Sequence, residues 1–147
     1  MARGVAYAGA AACLFLTGCL SPHGVRVGQV DPLGWERADA VALTYANGDS
    51  LASRRVSVIV RYDDRYAFDG LPLQIRVTGP DSVTETVYAT VPLRHSRSGK
   101  TVKYYDAERL WRDSMVLGRC GDYTFRLAHE LPGGEAEGIV AVGIHVE

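Results

Sequence analysis

The 147-residue chain sets 16 Lys and Arg against 17 Asp and Glu, a formal net charge of −1, with 47% hydrophobic residues and three cysteines. That balance excludes the basic excess with which a nucleic-acid-binding domain gathers phosphates. So few cysteines exclude a disulfide scaffold.

Met1, Ala2 and Arg3 make a cationic start, Gly4 to Phe15 is almost free of polar side chains, and Leu16-Thr17-Gly18-Cys19 follows. This order reads as a secretory signal. The apolar run is too short for a stable span, which needs about 20 residues. Leu-Thr-Gly-Cys resembles the bacterial lipobox. In that class the Cys thiol receives a diacylglycerol, the chain is cut before the Cys, and the new amine is usually acylated. The resemblance implies a signal peptide over 1–18, lipidation at Cys19 and a membrane as partner through the anchor. The bland alternative is an ordinary signal peptide, or a buried N-terminal helix that happens to hold two cysteines. One acyl chain binds a membrane only marginally, at about 0.8 kcal/mol per buried CH₂, whereas two or three hold firmly.

Removing the first 18 residues leaves 129, a comfortable size for one domain with its own core. Cys13 leaves with the signal and Cys19 carries lipid, so Cys120 stands alone in the turn Gly118-Arg119-Cys120-Gly121. It reads as a packed or idle thiol, because a thiolate nucleophile needs a base beside it.

Residues 19–34 contain Ser21, Pro22, Gly24, Gly28, Asp31 and Pro32, and these breakers predict a tether. Leu20-Ser21-Pro22-His23 carries no acid, which favours an outer-membrane position facing the periplasm. Trp35 opens the folded part, 35–147. Val41, Leu43 and Tyr45 alternate with Ala42 and Thr44 up to Asn47-Gly48, a half-buried strand. Arg54 to Tyr62 is the next strand, with Val56, Val58 and Val60 on one face. Tyr62 to Gly70 is a polar, aromatic connection. Leu71, Leu73, Ile75 and Val77 mark a strand stopped by Gly79-Pro80-Asp81, and Val83 to Val91 alternates at once behind it, predicting a hairpin.

Arg94 to Lys100 is a basic loop and Thr101 to Tyr105 reads as extended. Asp106 to Arg112 admits a short helix capped by Asp106, but Trp111, Met115 and Leu117 favour a separate strand from Leu110 to Leu117. Tyr123, Phe125 and Leu127 alternate after Gly121-Asp122. In the last strand, Gly138 to Val146, Val140, Val142, Ile144 and Val146 are assigned to one face and Ile139, Ala141, Gly143 and His145 to the other. Its apolar residues on both faces place it centrally in a sheet. About eight strands at short spacing predict an all-β antiparallel sandwich, with a closed barrel as the alternative.

Four features in order resemble the gliding-motility lipoprotein GldH family of Bacteroidota. They are the lipobox Leu16 to Cys19; a strand ending in Arg61 followed by Tyr66, Phe68, Leu71, Leu73 and Ile75; Gly121-x-Tyr123-x-Phe125; and Gly138-Ile139-x-x-Val142-Gly143-Ile144. The chain departs from the family at Lys103-Tyr104-Tyr105 and Leu110-Trp111-Arg112, where the family tends to be rich in Trp and Gly, and at Ala128-His129-Glu130. The resemblance implies a cell-envelope lipoprotein without enzymatic activity, whose partners are envelope proteins of a motility or secretion complex.

The residues themselves offer few sites. Gly-x-Ser-x-Gly, the phosphate loop and the dinucleotide fingerprint are absent, so neither a cofactor nor a reaction is expected. Asp63, Asp64 and Asp69 could hold Ca²⁺, although Arg65 among them opposes a cation and a solvated loop is the plainer reading. His129 and His145 could meet across a sheet as a structural or exposed pair. Tyr62, Tyr66, Phe68 and Trp111 are the candidate interaction face, with Tyr104 and Tyr105 nearby in type, because such rings combine rigid area with a polar tip. A groove presenting Tyr66, Phe68 and Trp111 together would favour a glycan or peptidoglycan ligand. Against both stands the ordinary role of aromatics in a β core. Tyr123 reads as a structural corner tyrosine.

Overall fold

The computed structural model describes residues 24–94 and 101–147. The lipobox and Cys19 lie outside them, as do His23 and His95. The strands are β1 (Val25–Gln29), β2 (Trp35–Glu36), β3 (Val41–Asn47), β4 (Ser53–Asp63), β5 (Gly70–Thr78), β6 (Thr84–Pro92), β7 (Tyr104–Val116), β8 (Gly121–His129), β9 (Glu135–Ala136) and β10 (Ile139–Val146). Two four-stranded antiparallel sheets, ordered β1-β10-β4-β7 and β3-β8-β5-β6, are joined by a short β2-β9 ribbon.

Period-two patterning explains the pairing of the layers. Val56, Val58 and Val60 of β4 and Val142, Ile144 and Val146 of β10 face Leu71, Leu73, Ile75, Phe125 and Leu127 of the other sheet, all buried in one cluster. Each such side chain taken from water contributes about 1.5–3 kcal/mol. The outer face of the second sheet is polar, with a Thr78–Thr84 hydroxyl pair at 2.8 Å and Gln74 donating to Tyr88. The all-β sandwich predicted above is therefore the fold, and the β5–β6 hairpin pairs in register from Gly70–Pro92 to Thr78–Thr84.

Three expectations are corrected. Residues 25–29, read as tether, form edge strand β1, which pairs with β10 from Val25–His145 to Gln29–Ala141. The two segments placed at 101–105 and 110–117 form one strand, β7, which runs along β4 and changes register near Val56, opposite Arg112. A register shift between Ile139 and Ala141 in β10 turns Ile139 into the core, while Val140 is only half-buried. One residue of slip moves a side chain to the opposite face. The central position of β10, between β1 and β4, is as expected.

Strand directions give the sandwich two ends. At the entry end lie Gly24, the β3–β4, β5–β6 and β7–β8 loops, and Glu147. At the far end lie the β1–β3 connection through β2, the β4–β5 loop, the described residues 93–94 and 101–103 between β6 and β7, and the β8–β10 connection through β9.

Candidate functional site

The predicted aromatic face divides once folded. Tyr62 and Tyr66 are buried in the core. Tyr62 stacks on Tyr105 at 5.4 Å and meets Tyr66 edge-on at 6.5 Å, and Tyr66 meets Phe68 edge-on at 5.7 Å. Both hydroxyls are used internally, since Tyr62 donates to Arg94 O (2.7 Å) and Tyr66 to Gly70 O (2.6 Å). Burial raises the Tyr66 phenol far above its ordinary range. These two tyrosines are structural, and only Phe68, 50% exposed, reaches solvent at the end of the ladder. Trp111 is half-buried on β7 and packs against the core near the Val56–Arg112 pair. That level is seven residues down β4 from Asp63, roughly 23 Å from Phe68's end. The four rings do not form one face, and Tyr66, Phe68 and Trp111 do not share a groove.

The far end is built on buried polar groups. Asp63 is fully buried, and its carboxylate accepts from Arg65 N–H (2.9 Å) and from the Arg65 guanidinium through Nε (3.1 Å). Burial pushes this carboxyl up, but the hydrogen bonds and charge of Arg65 outweigh it and hold it below the ordinary range. Asp63 N–H donates to Gly138 O (2.8 Å), and Gly138 N–H donates to Pro32 O (2.9 Å). Gly138 has φ +85°, and a Cβ there would lie 2.4 Å from Tyr66 N. Only glycine lets these three connections close on one another.

His129 is also fully buried. Its Nδ1 accepts from Leu131 N–H (3.2 Å) and the Trp35 carbonyl lies 2.8 Å from Nε2, so Nε2 carries the proton of a neutral ring. Trp35 meets that ring edge-on at 5.0 Å and donates its own Nε1–H to Asp39 O (2.8 Å). Burial, with the Arg37 charge, lowers the His129 pKa. His145 stands on β10 in the other sheet beside Glu108 (3.1 Å), so the two histidines do not meet. Among the described residues, no group of three or more His, Cys, Asp or Glu could hold a metal ion, and the Asp63 carboxylate is already taken by Arg65. Cys120 is exposed. The hydroxyl of Tyr123 accepts from Arg119 N–H four residues upstream (3.1 Å), a tyrosine-corner contact.

The exposed apolar side chains of the far end are Leu33, Phe68, Val102 and Tyr104. Tyr104 opposes Asp63 across β7–β4, and Arg65 and Glu137 add charge beside it. This rim is the candidate interaction site. Tyr104 was legible in part, because alternation with buried-side Tyr105 turns it outward. Leu33 and Val102 carried no signal in the sequence.

A profile described as GldH lipoprotein matches residues 26–146. Among solved structures, "Structure of infectious bursal disease virus Gt strain" is similar at 16% identity and TM-score 0.32, covering 86% of this chain and 28% of that one. "Crystal structure of the T13 IBDV viral particle reveals a missing link in icosahedral viruses evolution" is similar at 16% identity and TM-score 0.31, covering 96% and 34%. The chain thus spans about a third or less of the viral chains it matches. Among curated proteins none matches.

Proposed function

The chain belongs to the GldH lipoprotein family, and from that premise we propose a non-enzymatic envelope lipoprotein. It is held by lipid on Cys19 in the outer membrane facing the periplasm, and it acts through protein contacts in a gliding-motility or secretion complex. The observation that carries this reading is the family match from 26 to 146, nearly all of the folded domain. The chemistry of the buried groups supports it. Among the described residues, the buried ionisable side chains with shifted pKa values, Tyr62, Asp63, Tyr66 and His129, are all engaged by the fold itself. A general acid or base needs access to a substrate proton. The contact surface in this reading is the far-end rim of Phe68 and Tyr104, with Leu33 beside it, since rigid aromatics with nearby charge suit protein interfaces.

The test is affinity purification from native membranes with wild type and a Phe68→Asp/Tyr104→Asp variant, alongside intact mass of wild type and Cys19→Ala. The expected result is a mature chain starting at Cys19 with added lipid mass. It comes with a reproducible set of envelope proteins that the rim variant loses. An unmodified wild-type chain, or recovery of no partner by wild type, overturns the proposal.

A further inference from the structure

The entry end has its own exposed apolar residues, and two of them are held as Leu33 is at the far end, by an aspartate two residues upstream. Leu51 is 87% exposed, Val83 66% and Val116 56%. Leu51 sits in the β3–β4 loop, and its N–H donates to Asp49 Oδ1 (2.9 Å). Val83 sits in the β5–β6 loop, and its N–H donates to Asp81 Oδ1 (3.2 Å). Two loops, one crossing between the sheets and one closing the β5–β6 hairpin, thus use an aspartate two residues upstream to fix the backbone of an outward apolar tip. The tips surround adjoining depressions. One, of about 290 Å³, is lined by Val83, Val116, Leu117 and Arg119, and the next by Ser50, Pro80, Arg119 and Cys120.

Length decides what can cover this end. Gly24 is pinned beside β10, because its carbonyl accepts from Val146 N–H (2.9 Å). Cys19 lies five positions before Gly24, so the link spans at most about 18 Å even fully extended. Strand β4, eleven residues long, measures about 34 Å from one end to the other. A lipid on Cys19 therefore keeps the entry end near the bilayer and leaves the far end out of its reach. Of the cations of this end, Arg55 pairs with Asp113 and Glu147, Arg119 with Asp81 and Arg112 with Glu85, while Arg54 lies over the Tyr45 ring and Arg26 donates to the Thr44 and Val25 carbonyls.

We infer that the entry end is a membrane-seating surface. Leu51 and Val83 dip into the bilayer that carries the anchor, with Val116 behind them, and the sandwich stands on end with its far rim turned outward. The inference rests on the reading of Cys19 as the lipid site. The occupant is the bilayer, through apolar insertion rather than headgroup charge, because the exposed loop tips are the apolar Leu51 and Val83, and Arg55, Arg112 and Arg119 near them are paired with acids. Seating of this kind adds to the acyl chains the burial of two side chains at the interface, and it fixes orientation, which covalent attachment at one point alone does not.

The test uses the mature lipidated protein in phosphatidylcholine vesicles whose acyl chains carry bromine as a fluorescence quencher. Cys120, exposed at the entry end, takes an environment-sensitive fluorophore. A Cys120→Ser/Ala38→Cys chain carries the same label at the far end. Intact mass of each sample reports the lipid on Cys19. The expected result is strong quenching and a blue shift at Cys120, little at position 38, and no change with added salt. Leu51→Asp/Val83→Asp, at exposed positions that leave the core untouched, is expected to lose most of the quenching while keeping its melting temperature and its lipid mass. Equal quenching at both labels, or quenching indifferent to the double substitution in a lipidated sample, overturns the seating surface and leaves the anchor standing. A sample without lipid mass overturns the anchor, and the orientation built on it falls too.

Discussion

The two ends of the sandwich each contain an Asp–Arg pair, and the pairs differ in kind. At the far end Asp63 is fully buried and Arg65 one-third exposed; at the entry end Asp81 is one-third exposed and Arg119 two-thirds. The far-end pair sits in a network with Gly138, while His129 and Trp35 form a second buried node in the same end. The entry-end pair joins two short loops across their surface. The reason lies in connection length. Local Asp turns occur at both ends, at Asp49 and Asp81 and at Asp31 and Asp63, but the far-end connections through β2 and β9 also cross the end of the core. There they meet groups that water cannot reach, and those groups require protein partners. Asn47 is the entry end's exception, buried with its amide donating to Leu117 O and Arg119 O. Buried polar scaffolding thus concentrates at the end assigned to partners.

Glycine substitution should break the comparison most sharply. Gly138→Ala forces a side chain onto a left-handed backbone and into Tyr66 N, and should cost about 3 kcal/mol, read as a lower midpoint in urea. Gly118→Ala at the entry end, where a Cβ meets nothing within 4 Å, should stay within about 0.5 kcal/mol. Equal costs would mean that the far-end network is not rigid.

The charge pairs come next. Arg65→Ala strands the buried Asp63 carboxylate and should cost about 2 kcal/mol, below the range for a fully buried pair because Arg65 is partly solvated. Arg119→Ala removes an exposed partner and should cost no more than about 0.5 kcal/mol. In acid the Asp63 carboxyl, depressed in the folded state, stabilises the fold above its ordinary pKa of 3.8 and loses that contribution as pH falls through the lower folded value.

His129 supplies a smaller effect at milder pH. Its folded pKa is lowered from 6.5, so the unfolded chain binds the proton more readily. Stability should then be full above pH 6.5 and decline as pH falls below it. Urea midpoints at pH 7.5 and 5.5 should differ for wild type, and differ less in His129→Gln. An unchanged difference in the variant would mean that the buried His129 is not its source. Least of all, Leu51→Asp should leave the midpoint unmoved, since that side chain is 87% exposed.

Local order was legible in the residues themselves. Valine and leucine at period two in β4, β5 and β6, and in Tyr123-x-Phe125-x-Leu127 of β8, state which face is buried whatever the partner. Gly79-Pro80-Asp81 states where the β5–β6 hairpin turns. Mixed apolar residues on both sides of β10 state that it is central. The family membership was readable too, because spaced motifs survive where overall identity does not.

Tertiary structure decided the rest. Val25 to Gln29 contains a glycine and lies between breakers, so nothing local makes it a strand; it becomes β1 because β10 offers an unpaired edge. Asp106, Glu108 and Arg109 mask the continuity of β7, whose length is set by β4 alongside it. The shift at Val140 moves Ile139 into the core, an exchange that period-two reasoning cannot register. Tyr62 and Tyr66 are buried with Arg94 O and Gly70 O there to take their hydroxyl protons; Gly70 lies four residues along the same connection, but Arg94 arrives from beyond β6. Sequence determines which residues prefer to leave water. Which aromatic goes in and which stays out is settled only when the second strand, with its hydrogen-bond acceptor, is in place.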